Sequence, residues 1–296
     1  MTSTISRIVA AVDGSALSLQ AAQWAADEAA QRHRPIRLVH AVETDTLTYG
    51  AGVPLPQSYF DAVRADGVQI LSDAREAVLL RHPELDVTVT LHTSGPVPAL
   101  LEESDAAALL VLGAHGRGGV DALLLGSCVV AVAEHARCPV AVVRGRGVDG
   151  APPTAGPVVV GVDGSPVSDA AVAAAFDEAS WRHTELRAVH AWTEPFLPGT
   201  DRWVGREART VAEEEVLAER LAGWQEKYPD VPVRRIVDRG HTVRSLLEHA
   251  EPAQLLVVGS RGRGGFTGLL LGSTSQSLVH HATCPVLIVR PTPGAS

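Results

Sequence analysis

Short apolar runs alternate along this chain with longer stretches of mixed polarity. RIVAAV, from Arg7, is brief and β-branched, the pattern of a buried strand. Asp13-Gly14-Ser15 follows as a turn and helix start. The alanine-rich residues 17–33 predict a helix, and IRLVHAV a second strand. Residues 58–82 predict a long helix, VTVTLH a third strand, and PVPALLEES a helix opened by proline. ALLVLG is the fourth strand, residues 126–136 a helix, and PVAVV the fifth strand. Strands alternating with helices predict a parallel sheet covered on both faces.

The same order then recurs. SRIVAAVDGS aligns with GPVVVGVDGS, so that Asp13 matches Asp163 at an offset of 150 residues. GAHGRGGVDALLLGSCVV, from Gly113, matches GSRGRGGFTGLLLGSTSQ, from Gly259, at an offset of 146. CPVAVVR and CPVLIVR, from Cys138 and Cys284, keep that second offset. The repeat is domain-sized, too long for a solenoid unit. RGRGVDGAPPTAGP lies between the copies, and its glycine and proline read as a linker. The expected fold class is therefore α/β, with two tandem doubly wound domains. Each is a five-stranded parallel sheet with helices on both faces. Domain 1 spans residues 1–146, the linker 147–156 and domain 2 157–292.

Composition narrows the function. The 296 residues are 46% hydrophobic and 20% charged, as in a packed protein, with a net charge of -9. No basic stripe offers a track for nucleic acid. No apolar run reaches membrane-spanning length, and MTSTISRIVAAVDGS has no secretory pattern. Cys128, Cys138 and Cys284 have no metal spacing and make no disulfide framework. A cytoplasmic protein with reduced thiols is expected. Lys227 is the only lysine, so the Gly-Lys-Ser/Thr phosphate loop is excluded.

The glycine strings begin where the fourth strand of each copy ends. Doubly wound sheets bind ligands at such strand ends, where strand order reverses. Glycine permits positive φ and close backbone approach. The following helix start supplies free N–H groups and the positive end of its dipole. Backbone, Ser127 or Ser273, and Arg117 or Arg263 together would cradle an anion. A sharp turn with a Gly-Ser helix cap is the other reading.

Both strings read G-x2-G-x9-G-S. With the strand-end Asp-Gly-Ser and the final CPV strand, in order and twice, the chain resembles the universal stress protein family in its tandem-domain form. The resemblance covers nearly the whole chain. It implies an adenine-nucleotide-binding α/β fold, like that of the adenine nucleotide alpha hydrolases, and the ATP-binding branch of the family. It places ribose and phosphates at Gly113, Gly116, Gly126 and Ser127, and at Gly259, Gly262, Gly272 and Ser273. It adds Asp13 and Asp163 to the nucleotide site, with a helix-capping turn as the plainer role. It puts adenine on the backbone of Ala41 and Ala191. Magnesium would accompany the triphosphate, with no dedicated protein cage for it.

The copies differ at His115, matched by Arg261, and at Cys128, matched by Thr274. His115 and Arg261 either tune phosphate binding or are solvated loop residues. His40 and His190 read as packing or hydrogen-bonding histidines, and Cys138 and Cys284 as buried thiols. No nucleophile elbow, H-E-x-x-H or C-x-x-C is present. The resemblance implies slow or no ATP hydrolysis and a regulatory role in stress response. Nucleotide would order residues 43–60 and 193–206, with Trp192 and Trp203. A slow ATPase or nucleotide-dependent transferase, a cyclic-AMP binder and a scaffold with vestigial pockets stay open. Single-domain relatives dimerise through the last strand, which implies a pseudo-dimer of the two domains within one chain. A homodimer of chains stays open too.

Overall fold

A computed structural model describes residues 6–43, 48–49, 53–116, 126–145, 150–192, 206–262 and 271–290. The chain divides into two compact units, Met1–Arg144 and Gly145–Ser296.

Domain 1 runs β1 (Arg7–Ala11), α1 (Ala16–Gln31), β2 (Ile36–Ala41), β3 (Thr48–Tyr49), β4 (Val53–Pro54), α2 (Gln57–Arg81), β5 (Val87–His92), α3 (Pro96–Ser104), β6 (Ala107–Gly113), α4 (Ser127–His135) and β7 (Val140–Val143). Its sheet has the order β7-β6-β1-β2-β5, all parallel. β3 and β4 form a separate small antiparallel ribbon. The chain first builds outward from β1 to β2 and β5, then crosses to β6 on the other side. Strand order therefore reverses between β1 and β6.

Domain 2 runs β8 (Val158–Gly161), α5 (Pro166–Trp181), β9 (Leu186–Trp192), α6 (Arg206–Lys227), β10 (Val233–Arg239), α7 (Thr242–Ala250), β11 (Leu255–Gly259), α8 (Ser273–His281) and β12 (Val286–Val289). Its order is β10-β9-β8-β11-β12, again parallel, and it reverses between β8 and β11.

Burial explains the strand composition. Ile8, Val9, Ala10, Leu110 and Val111 are wholly buried, as are Val158, Val159, Val160, Leu256 and Val257. Strands covered on both faces need no polar alternation. α1 presents Ala21, Ala22, Ala25, Ala26 and Ala29 to the interior, and these small side chains let it lie close on β1 and β6. α1 packs beside α2, and α3 beside α4.

Two buried ion pairs recur. Glu28 pairs with Arg32 on α1, and Glu178 with Arg182 on α5. The two helices also end alike. His33 (φ 51°) and His183 (φ 48°) adopt left-handed backbone. Arg34 N–H donates to Ala29 O at 2.9 Å and Thr184 N–H to Ala179 O at 3.1 Å, closing a Schellman motif in each copy.

Candidate functional site

The turn after β1 sets the geometry. Gly14 has φ 80° and Gly164 φ 75°, a left-handed step that favours glycine. It folds the chain so that Asp13 Oδ1 accepts from Ser15 N–H at 3.0 Å and from Ser15 Oγ–H at 2.6 Å. Asp163 does the same with Ser165, at 2.9 and 2.7 Å. Ser15 and Ser165, not the aspartates, cap the helices, each accepting from the N–H three residues on at 3.2 Å. The plainer role for Asp13 and Asp163, capping the next helix directly, is thus already filled. Ser18 and Ser168 accept the aspartate N–H groups at 3.2 and 3.1 Å.

With Oδ1 pinned, Oδ2 turns toward the glycine string. A Cβ on Gly116 would lie 2.3 Å from Asp13 Oδ2, and one on Gly262 2.6 Å from Asp163 Oδ2. The second glycine of each string is therefore a close-approach position. The first glycines serve packing. A Cβ on Gly113 would lie 3.1 Å from the Leu17 carbonyl of α1, and one on Gly259 2.8 Å from Val167 Cγ1 of α5. Positive φ was the other property expected of these strings. Among their described glycines none has it, and the left-handed turn belongs to Gly14 and Gly164 instead.

A cavity opens at the carboxyl ends of the strands in each domain, at the reversal point. In domain 1 it encloses about 230 Å³ and borders Asp13, Ala41, Gly113 and Gly116. In domain 2 it encloses about 420 Å³ and borders Asp163, Ala191, Gly259 and Gly262. These eight expected residues come together four and four. Gly126 and Gly272 stand beside them at the helix entries. Gly126 N–H donates to Ala114 O at 3.1 Å and Gly272 N–H to Ser260 O at 2.7 Å. Ser127 and Ser273 begin α4 and α8 as exposed residues outside the cavity linings. The helix-capping positions are Gly126 and Gly272, with no side-chain cap bond, so the Gly-Ser cap reading does not describe these serines. Arg117, Arg263 and Trp203 lie outside the described residues, as does most of 43–53 and 193–205. Trp192 ends β9 as a buried cavity wall.

The walls differ at matched positions. His115, Pro96, Cys128 and Val129 border the first cavity, and Arg261, Thr242, Thr274 and Ser275 the second. Burial lowers the His115 pKa below 6.5, Arg144 adds to this, and Asp13 opposes it. Burial, then Asp13, pushes the Cys128 thiol up. His40 and His190 line their cavities while bonding the carbonyls of Val12 and Val162 through Nδ1, at 2.6 and 2.7 Å. Sequence reasoning missed Ser18, Ser168 and Glu213. The serines were legible as a repeated hydroxyl five residues after each aspartate.

The second cavity falls within the ordinary range of small-molecule sites, roughly 300–1,000 Å³, and the first lies somewhat below it. Each offers an oriented carboxylate, a side-chain-free edge and a helix start. Among the described residues no helix is long and apolar enough to cross a membrane.

The Universal stress protein family model matches residues 4–144 and 155–290. A universal stress protein of Mycobacterium tuberculosis is 45% identical over 291 residues, covering 96% of both chains. A second from that organism is 40% identical over 289 residues, again covering 96% of both. The crystal structure of a universal stress protein from Archaeoglobus fulgidus superposes with a TM-score of 0.70 at 19% identity, covering 96% of each chain, a likeness of fold. With its repeated cavity and two family matches in tandem, the chain belongs to the universal stress protein family.

Proposed function

We propose that each domain binds an adenine nucleotide, ATP with magnesium, and that occupancy serves a regulatory role in stress response. The observation that carries this reading is the aspartate whose second oxygen faces a side-chain-free glycine at the strand-order reversal, built twice. Asp13 and Asp163 would accept from ribose hydroxyls. The backbone at Ala41 and Ala191 would read the base. The glycine strings and the starts of α4 and α8 would receive the phosphates. Among the described residues no three acidic, histidine or cysteine side chains converge as a metal cage. The magnesium is proposed to ride on the phosphates, neutralising their charge.

Mass spectrometry of small molecules released from freshly purified protein tests this. About two ATP per chain are expected, and about one after either Asp13→Ala or Asp163→Ala. Cyclic AMP in place of ATP would replace the reading. No nucleotide, followed by no binding of added ATP with magnesium, would sink it. Phosphate release measured on the same samples separates a binding protein from a slow ATPase.

A further inference from the structure

The two cavities part most sharply at one position on their long helices. Residue 67 of α2 corresponds to residue 213 of α6, at the offset that aligns the later parts of the copies. Domain 1 has glycine there. A Cβ on Gly67 would lie 2.8 Å from Leu91 Cδ1 and 2.9 Å from the His40 ring, so no larger side chain fits unless those two move. Domain 2 has Glu213, which borders the cavity. Its Oε2 lies 3.0 Å from His190 Nε2, and its side chain is 23% exposed.

The histidine orients this carboxyl group. His190 Nδ1 lies 2.7 Å from the Val162 carbonyl, which can only accept, so Nδ1 carries a proton. Nε2 faces Glu213 Oε2, and an ionised Glu213 accepts from it when the ring is the imidazolium, with both nitrogens protonated. One carboxylate oxygen is thereby held, and the group is oriented at the cavity wall. His190 directly precedes Ala191, so Glu213 stands beside the strand end that the nucleotide reading gives to the base. The rest of the wall shifts the same way. Pro96, Cys128 and Val129 are replaced by the hydroxyl-bearing Thr242, Thr274 and Ser275. Among the described lining residues Asp13 is the only carboxylate in the first cavity, whereas the second has Asp163 and Glu213.

We propose that Glu213, held by His190, selects a purine with a 6-amino group in domain 2, while domain 1 discriminates less because Gly67 offers nothing there. The inference rests on the nucleotide reading above. A carboxylate accepts from the amino group of adenine and repels the carbonyl oxygen of a 6-oxo purine.

Equilibrium binding of ATP, ITP and 2′-deoxy-ATP to the full chain tests it. Two backgrounds isolate the sites. Gly116→Ala displaces Asp13 and silences domain 1, and Gly262→Ala displaces Asp163 and silences domain 2. With domain 2 alone active, ATP is expected to bind at least about tenfold tighter than ITP, the scale of a hydrogen bond to a charged group. Glu213→Ala should reduce that ratio to about twofold. Glu213→Gln should raise ITP affinity by about tenfold, because an amide can turn its N–H toward the oxo group. With domain 1 alone active, neither substitution should change the ratio. Circular dichroism melts check that the variants fold, and alanine suits the helix. A domain 2 ratio that survives Glu213→Ala overturns the proposal. So does a change confined to the ratio between ATP and 2′-deoxy-ATP, which would assign Glu213 to the ribose. If the unmodified chain binds none of the three, the nucleotide reading itself fails, and this inference falls with it.

Discussion

In domain 1 the tie between β5 and α3 is His92 with Glu103, Nε2 to Oε1 at 3.1 Å. In domain 2 the matching positions hold Asp238 and His249, Oδ2 to Nε2 at 2.8 Å. Acid and base have traded places, and the contact persists. The neighbouring arginine follows. Arg37 donates to both oxygens of Glu103, at 3.3 and 3.2 Å, whereas Arg187 turns to Glu185 at 2.5 Å. The cavity walls behave differently. There Pro96 and Cys128 are matched by Thr242 and Thr274, Glu213 has no counterpart in the first lining, and no second change among the described residues restores the original chemistry. Compensated differences preserve the frame. Uncompensated ones change what the frame holds.

The largest expected effect tests what the domains share. Glu28→Ala and Glu178→Ala each leave a buried arginine without its carboxylate, and each is expected to destabilise its own domain by about 3–5 kcal/mol. Urea unfolding followed by domain-specific proteolysis reads this. Equal losses support a common frame, and a neutral result in one copy breaks it.

The exchanged pair comes next. His92→Asp or Glu103→His alone should cost about 1–2 kcal/mol, and the double substitution should recover part of that in a double-mutant cycle. Full recovery is not expected, because Arg37 then lacks the acceptor that Glu185 gives Arg187. Zero coupling would show that the exchange is incidental.

A smaller effect separates the cavities by pH. Burial and Arg144 hold the His115 pKa below 6.5, so it is neutral at pH 7.5. A bound triphosphate favours the protonated ring and raises its pKa. Nucleotide affinity at domain 1 should therefore strengthen as pH falls toward and through 6.5, by up to about tenfold. Without ligand the sign reverses for stability, because the unfolded chain takes up the proton more readily than the fold does. His115→Gln should flatten the affinity slope. Domain 2 has Arg261 at the matching position and lacks this histidine's contribution.

The smallest effect returns to symmetry. His33→Gly and His183→Gly relieve left-handed backbone and should each stabilise by up to about 1 kcal/mol in thermal melts. Opposite signs in the two copies would show that one imidazole makes a contact worth more than the strain.

The frame was legible because its causes are local. Strands such as VVVG and LLVVG are apolar on both faces, and the repeat set their order twice. Asp13, Gly116 and their counterparts came from the family resemblance that the G-x2-G-x9-G-S spacing and the strand-end Asp-Gly-Ser carry. The reason for each glycine was not legible. Gly113 is fixed by the approach of Leu17, far away in sequence, and only the fold brings the two together. Glu213 was hidden differently. It opens a run of three glutamates on α6, where Glu214 and Glu215 are exposed. Only its phase with the buried Leu217 and Leu221 turns it inward.

The first cavity draws on Asp13, Ala41, Gly113 and Cys128, which meet only when the whole sheet has formed. A partly unfolded chain has no such place. A ligand that binds there adds RT ln(1 + [L]/Kd) to the unfolding free energy, about 2.7 kcal/mol at a hundred times Kd. Each domain's survival against proteases would then follow the concentration of its ligand. A chain with two unequal sites would register two thresholds, and starvation for one ligand would be written into its half-life.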